Sequence, residues 1–513
     1  MRFERIFALG GLALFGLGCS SSEGGGPPSS GSGGHSGASG STSSGGTASG
    51  GAPGSGGSAG AGGTGATGAG GSGGAGGSGG AGGSGGAGGS GGTGGASADL
   101  PTRYPESAIV SPMNEHVAKR LRAIAQKDAS RKADVFMKVG DSHTVSKNLL
   151  YCFAGAAQPG YKLDLAGHDA LLPSIQYFRK GSAAGTTPFD RASLAAVVGK
   201  TASWAISGNP SPLDSETNAL NPRFAFVSYG TNDMQMGVTH ASALWPFHEN
   251  LSKLLDELET GGIVPIVAGL LPRGDDATAA LWAHVYDIVT RGMAETRQLP
   301  YLSVYQATKD LPKQGLANDA THGNVYVSGA SQPCVFTSAA LAYNYNVRNL
   351  HSMEQLDAVK RMVVDSAAAP DATVPGASGA GTSQDPFLVD GLPFTHAANT
   401  TQSPSSLIDA YPGCNSTADE SGPELYYTLS VTQSTPIRAM LFDRDGVDVD
   451  LHLLSGGKTG QSCKARHDRM IERTLAPGTH TFVVDSFVSG GKALSGSYML
   501  VIMRCDATDS ACQ

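Results

Sequence analysis

The chain is short of aromatic residues, of positive charge and of long apolar runs, and each shortage removes something from consideration. By length alone, 513 residues would accommodate roughly three domains. With aromatics at only 7% and 74 glycines, however, much of the chain cannot be globular. A formal net charge of -8, with no run of Lys or Arg, removes the electrostatic basis for binding nucleic acid or an anionic membrane surface. Beyond the first twenty residues no segment is long and apolar enough to cross a bilayer as a helix. Cysteine is also sparse, and no pair has the C-x-x-C spacing of a zinc-thiolate site. No cofactor is expected.

What is present begins with a leader. Met1 to Arg5 carries two arginines, and Ile6 to Gly18 is apolar but too short to span a membrane, which is the pattern of an export signal. It ends in Gly16-Leu17-Gly18-Cys19, which resembles the lipobox of bacterial lipoproteins. The resemblance implies that Cys19 is acylated and becomes the first residue. Any membrane association would then be through that lipid, with the protein held at an outer surface or in the periplasm, and otherwise secreted. Six cysteines remain. An even number in an exported chain favours disulfides, and the pairing Cys152–Cys334, Cys414–Cys463 and Cys505–Cys512 keeps each bond within one expected domain.

Residues 20–98 are Gly, Ser, Ala and Thr in loose GGSGGA repeats with almost nothing to bury, so they are expected to be a disordered tether. A flexible chain of ~75 residues reaches roughly 50 Å. Matches to G-x-S-x-G fall in this tract, among them Gly56 to Gly60 and Gly70 to Gly74. None follows a strand, so all are compositional.

The folded composition starts near Leu100. A helix from Asn114 places Val117, Leu121 and Ile124 on one face. Val135, Phe136, Met137 and Val139 read as a buried strand, with Ser142 at its end and a helix-like segment from Val145 to Tyr151 after it. Further strands are expected at Phe224–Tyr229, Ile263–Leu270 and Tyr301–Tyr305. They alternate with helices carrying Leu251, Leu254, Leu255 and Leu258, stopped by Gly261, and then Leu281, Val285, Ile288 and Val289. That alternation implies an α/β domain over 100–366, a parallel sheet covered on both faces. Residues 367–384 read as a linker. Over 385–513 the period changes to two, as in Leu425, Tyr427, Leu429 and Val431, then Val449, Leu451 and Leu453, then Phe482 and Val484. This predicts an all-β sandwich large enough to fold independently.

Ligands bind open parallel sheets beyond the carboxyl ends of the strands. Gly140-Asp141-Ser142 lies at the first such end, Gly230-Thr231-Asn232-Asp233 at the second, and Asp319-Ala320-Thr321-His322 after the last. A carboxylate three residues ahead of a histidine can hold one ring N–H while the other nitrogen faces a hydroxyl. With the glycine block Ala205-Ile206-Ser207-Gly208, these four blocks resemble, in order, those of the SGNH hydrolases, also called GDSL-like esterases and lipases. The resemblance covers about Leu100 to Ala367 and implies a three-layer, flavodoxin-like fold. It makes Ser142 the nucleophile, His322 the base, Asp319 its orienting partner, and Gly208 and Asn232 oxyanion donors, Gly208 being preferred to Gly199. His143 stands where the family usually has leucine. The GDSH-T opening looks like that of some carbohydrate O-acetylesterases, and His143 itself is expected on the rim or behind the catalytic groups. Taken alone, Asn232 could equally cap a helix. His240, His248 and His284 are expected on helix surfaces.

The last domain resembles the pre-peptidase C-terminal sandwich appended to exported bacterial enzymes. The resemblance rests on Asp443-Arg444-Asp445-Gly446, Asp448-Val449-Asp450-Leu451, Ala476-Pro477-Gly478-Thr479 and Gly496-Ser497-Tyr498. Asp443, Asp445, Asp448 and Asp450 are a conceivable calcium set but lack EF-hand spacing, and alternation assigns Asp448 and Asp450 to a solvated face. The sequence therefore predicts an exported serine esterase, monomeric, acting on carboxylic esters such as O-acetylated carbohydrate. The alternatives are an O-acyltransferase with the same triad and a non-catalytic surface-binding protein.

Overall fold

A computed structural model describes residues 100–512. The export signal, Cys19 and the tether assigned to 20–98 lie outside the described residues. Both domains considered below belong to one compact unit.

The first domain is built on the strand Lys132–Gly140, which is buried from Val135 onward. Even Lys138 is enclosed: its Nζ donates to the Phe189 carbonyl at 2.9 Å and sits 4.1 Å from the Tyr151 ring centre. Burial pushes that ammonium down to about 7. Three further strands, Pro222–Ser228, Val264–Ala268 and Tyr301–Leu302, follow it across the sheet in chain order. All pairings are parallel. Parallel neighbours need crossovers, supplied here by the helices Pro212–Leu220, His240–Thr260 and Ala277–Arg297. Right-handed crossovers stepping in one direction put those helices on one face. Helices Glu115–Gln126 and Asn344–Val363 pack together against the sheet as a second group, and the central strands have no exposed face. This is an α/β three-layer domain.

Two local expectations fail. The fourth strand is only Tyr301–Leu302, because Ser303 caps a helix over Val304–Thr308 by accepting the Gln306 N–H at 3.0 Å. The helix near the first strand end is Ser142–Val145, not Val145–Tyr151, because Asp141 acts as its N-cap and starts it earlier. A separate 3-10 segment follows at Tyr151–Ala157.

The second domain is an all-β sandwich of a four-stranded and a five-stranded sheet. Leu425, Tyr427, Leu429, Val449, Leu451, Leu453, Phe482 and Val484 form its inner core, as their alternation implies. The outward faces are buried as well. Met440, Phe442, Met499, Val501 and Met503 face away from that core and join the hydrophobic core of the α/β domain. Trp245 Nε1 donates to the Leu441 carbonyl at 2.8 Å, and Arg444 pairs with Asp256 at 2.8 Å. His248 is accordingly not on a helix surface: it is buried with its ring 4.7 Å from Phe442. Of the other two, His240 Nδ1 faces the Met234 carbonyl at 2.8 Å, and His284 stacks on Tyr305 with ring centres 4.7 Å apart. The segment read as a linker is tied down as well, with Asp371 N donating to Met113 O at 3.2 Å and Tyr426 N to Gly381 O at 2.8 Å.

All three disulfides join the expected partners, with Cα separations of 5.8 Å for Cys152–Cys334, 5.3 Å for Cys414–Cys463 and 5.9 Å for Cys505–Cys512.

Candidate active site

The first two strands end side by side, Gly140 opposite Ser228, and the chain turns at once in both. A β-carbon on Gly140 would lie 2.2 Å from Thr144 Oγ1 and 2.5 Å from the Ser228 carbonyl, so only glycine permits the turn into Ser142. Gly230 has φ +127 and would strike Leu270. These two glycines bring Ser142 and Asn232 to one end of the sheet. Ser142 is the first residue of its helix, so its backbone N–H has no acceptor within that helix.

The loop after the last strand supplies the rest. Asp319 Oδ1 accepts the backbone N–H of Thr321 at 3.1 Å and of His322 at 2.9 Å, while Oδ2 lies 2.8 Å from His322 Nδ1. On the far side of the ring, Nε2 is 2.9 Å from Ser142 Oγ. Hydroxyl, imidazole and carboxylate thus form one hydrogen-bonded row. The two backbone N–H groups, then the imidazole, hold the Asp319 carboxyl down at about 2. The row is open to solvent: the side chains of His322 and Asp319 are 41% and 55% exposed. The loop itself is pinned, with Ala317 N bonding His322 O at 2.8 Å and Gly274 N bonding Ala320 O at 2.8 Å.

Asn232 does not cap a helix with its side chain. Its Nδ2 donates instead to Asp141 Oδ2 at 3.3 Å and to the Lys200 carbonyl at 3.2 Å. Both bonds are long, so an oxyanion at this place has to compete with a weak partner rather than a strong one.

Gly208 makes no hydrogen bond to any residue of this cluster. It lies in an exposed turn beyond the short helix Ala202–Ala205, with φ +96 and only the Pro210 carbonyl near its hypothetical β-carbon, at 3.5 Å. Gly199, the alternative, adjoins Lys200, whose carbonyl accepts from Asn232 Nδ2 at 3.2 Å. The segment around it runs beside the first strand end, with Gly140 N donating to Ala195 O and Val197 N to Gly140 O, each at 3.1 Å.

Three residues matter more than the sequence indicated. Asp141 is buried and accepts from His143 N at 3.0 Å, besides Asn232. His143 is buried beneath the triad rather than on its rim. Its Nδ1 is 3.1 Å from Asp141 Oδ1, its Nε2 is 3.1 Å from the Thr321 carbonyl, and its ring centre is 4.9 Å from that of His322. It therefore ties the serine's strand end to the loop that carries His322. Asp233 accepts Ala202 N at 2.9 Å and Gly230 N at 3.0 Å, and burial pushes its carboxyl up to about 7. The histidine in the family's leucine position was the only available signal.

Large exposed apolar side chains occur on the segments that carry the site. Val198 (63% exposed) adjoins Gly199, Met236 (72%) and Val238 (101%) follow Asn232, and Val145 follows Ser142. Trp204, half-buried, lies 5.8 Å from Lys200 Nζ.

No family model and no curated protein matches the chain. Among solved structures it is similar to a GDSL-like lipase from Bacteroides thetaiotaomicron, at 13% identity over 47% of this chain and 98% of that one, TM-score 0.27. An acetylxylan esterase from Geobacillus stearothermophilus, solved as a catalytic mutant, is 14% identical over 44% and 95%, TM-score 0.28. A two-domain esterase active on acetylated mannans is 12% identical over 76% and 95%, TM-score 0.25.

Proposed function

We propose that the protein is a serine esterase that cleaves carboxylic esters by two-step acyl transfer. The observation that carries this reading is the row Ser142 Oγ–His322 Nε2 at 2.9 Å and His322 Nδ1–Asp319 Oδ2 at 2.8 Å. A serine hydroxyl becomes a competent nucleophile when a base takes its proton during attack. His322 Nε2 takes that proton, Ser142 Oγ bonds to the ester carbonyl carbon, and Asp319 keeps Nδ1–H directed to itself. The developing oxyanion is met by the Ser142 and Gly199 N–H groups and by Asn232 Nδ2. The proton on His322 then passes to the leaving alcohol, and water, deprotonated by the same nitrogen, releases the acid.

The exposure of His322 and Asp319 gives water free access, which favours hydrolysis over transfer to another hydroxyl. An open site also suits an ester displayed on an extended carrier. O-acetyl groups on carbohydrate are the proposed substrate class, with Trp204 as the surface on which a sugar ring rests. Export, with a lipid on Cys19, is the proposed location, and the three paired cysteine couples support an oxidising compartment.

Release of the carboxylic acid from acetylated xylan and mannan, from short nitrophenyl esters and from triglycerides, with and without an acceptor glycan, tests the reading. Release from acetylated glycan by the wild type, abolished by Ser142→Ala and unaltered by acceptor, is expected. Release that persists in Ser142→Ala, or no ester cleavage at all, would contradict it.

A further inference from the structure

We propose that Glu420, Asp450 and His452, in the sandwich domain, form a binding site for a divalent transition-metal cation of the zinc class. Asp450 and His452 are two apart on the strand Val449–Ser455, so both project to the same face. That face is the outer side of the five-stranded sheet, the one expected to be solvated. It is covered instead by the chain around residues 403–423, fastened to the neighbouring strand by Cys414–Cys463. Glu420 comes from this cover. The three side chains are 0%, 2% and 0% exposed, and one ligand-type atom from each lies within 4.8 Å of the others.

What points to a ligand is the pattern of unmet bonds. Both ring nitrogens of His452, Oδ1 of Asp450 and Oε2 of Glu420 are buried without a hydrogen-bond partner. Leaving a buried group unpaired costs it the hydrogen bond it would make to water. The other oxygens of the two carboxylates are taken: Arg466 Nη2 reaches Asp450 Oδ2 at 2.5 Å, and Arg466 Nε reaches Glu420 Oε1 at 3.4 Å. Arg466 thus orients both carboxylates and leaves one oxygen of each available, as outer partners of metal ligands do. The imidazole plane is held by the Tyr411 ring, stacked at 3.4 Å between centres and 12°. Tyr411 is in turn fixed through its hydroxyl to Asp485 Oδ2 at 2.6 Å.

Charge points the same way. In the strand register Asp450 stands opposite Asp485, and Asp485 opposite Glu424. With Glu420 that makes four buried carboxyl groups, of which Arg466 pairs with two, Asp450 and Glu420, while Asp485 and Glu424 accept from neutral hydroxyl and backbone donors. A divalent cation supplies positive charge and a partner for three of the four unmet atoms at once, one ring nitrogen of His452 and one oxygen of each carboxylate. A nitrogen ligand beside two carboxylate oxygens suits zinc, cobalt or manganese, whereas calcium and magnesium take oxygen. Bound there, the ion would fasten the cover segment to the sheet.

The test is metal binding by the full chain, stripped with a chelator and titrated by calorimetry with Zn²⁺, Co²⁺ and Ca²⁺. One equivalent of Zn²⁺ is expected, with a raised unfolding temperature and a Co²⁺ absorption band diagnostic of a nitrogen–oxygen site. The equivalent should survive in His322→Ala and be lost in His452→Ala, with at least tenfold weaker binding in Asp450→Asn. The wild-type titration and spectrum stand even if a variant fails to fold. The proposal is overturned if no equivalent binds, if Ca²⁺ binds in place of Zn²⁺, or if His322→Ala rather than His452→Ala abolishes binding. It is equally overturned if the stripped wild type is as stable as the zinc-loaded protein, the result expected if Glu420 and Asp450 simply share a proton.

Discussion

Asn232 and His143 separate two kinds of contribution at the residue level. Asn232 Nδ2 is proposed to act on the oxyanion, which exists only after attack, so Asn232→Ala should lower kcat with KM little changed. Loss of one such donor is worth ~3–4 kcal/mol, or about 10²–10³ in rate. His143 touches no reacting atom and acts by holding Asp141 against the Thr321 carbonyl. His143→Leu should reduce kcat by about tenfold through misplacement of His322, and stability by about 1–3 kcal/mol through the Thr321 carbonyl left unpaired, since Asp141 Oδ1 keeps the backbone N–H of residue 143. Steady-state kinetics with thermal unfolding checks both substitutions. Asp319 stays ionised down to about pH 2, so acid loss of activity should follow one imidazole protonation and not a carboxyl. Because the Asp319 pKa is depressed, its contribution to stability is present above the ordinary carboxyl range and disappears only as the pH falls through about 2. A pH–rate profile with an acid limb of slope one meets this expectation; a second proton below it does not. Ser142, Asp319, His322 and Asn232 were legible because each sits in a tri- or tetrapeptide whose chemistry is local. Which glycine lends a second backbone N–H was not, since what qualifies such a donor is the course of the chain and not the neighbouring letters.

At the level of elements, the seam between helix His240–Thr260 and strand Thr435–Asp443 is the least anticipated feature. Phe442 and Met440 alternate with the inward-facing Ala439 and Leu441, and alternation alone reveals only that two faces differ, not what covers the second. Phe442→Asp would bury an unpaired charge against Trp245 and His248, and should destabilise the protein by more than about 3 kcal/mol in thermal or denaturant unfolding. His248 gives the seam a pH dependence. Burial first, then Arg444 and Arg297, push its imidazole down to about 3. The unfolded chain therefore binds a proton that the folded one refuses between roughly pH 6.5 and 3. Stability is thus lost as the pH falls through that window, and His248→Leu should flatten the loss in unfolding curves taken at pH 7 and pH 4. The shortened fourth strand and the early helix at Ser142 went unread for a similar reason: Ser303 and Asp141 are caps, and a cap becomes visible only when its acceptor geometry is known.

For the whole molecule, α/β domain and sandwich were both legible, because apolar spacing of helical and of strand period is independent of what surrounds it. Their union was not. Residues 367–384 have linker composition, yet they are hydrogen-bonded along their course, and the sandwich contributes Met440, Phe442, Met499, Val501 and Met503 to the core of its neighbour. Removing residues 385–513 should therefore leave an α/β domain with a bared apolar face, aggregating or unfolding at lower temperature than the full chain. The catalytic reading is nevertheless confined to one end of one sheet, and it is tested most directly by chemistry at a single atom. Treatment of the folded protein with a fluorophosphonate, followed by peptide mass spectrometry, should place one phosphonyl group on Ser142 and none when His322 is replaced by alanine. A folded protein left unlabelled, or labelled on another serine, would contradict the esterase account.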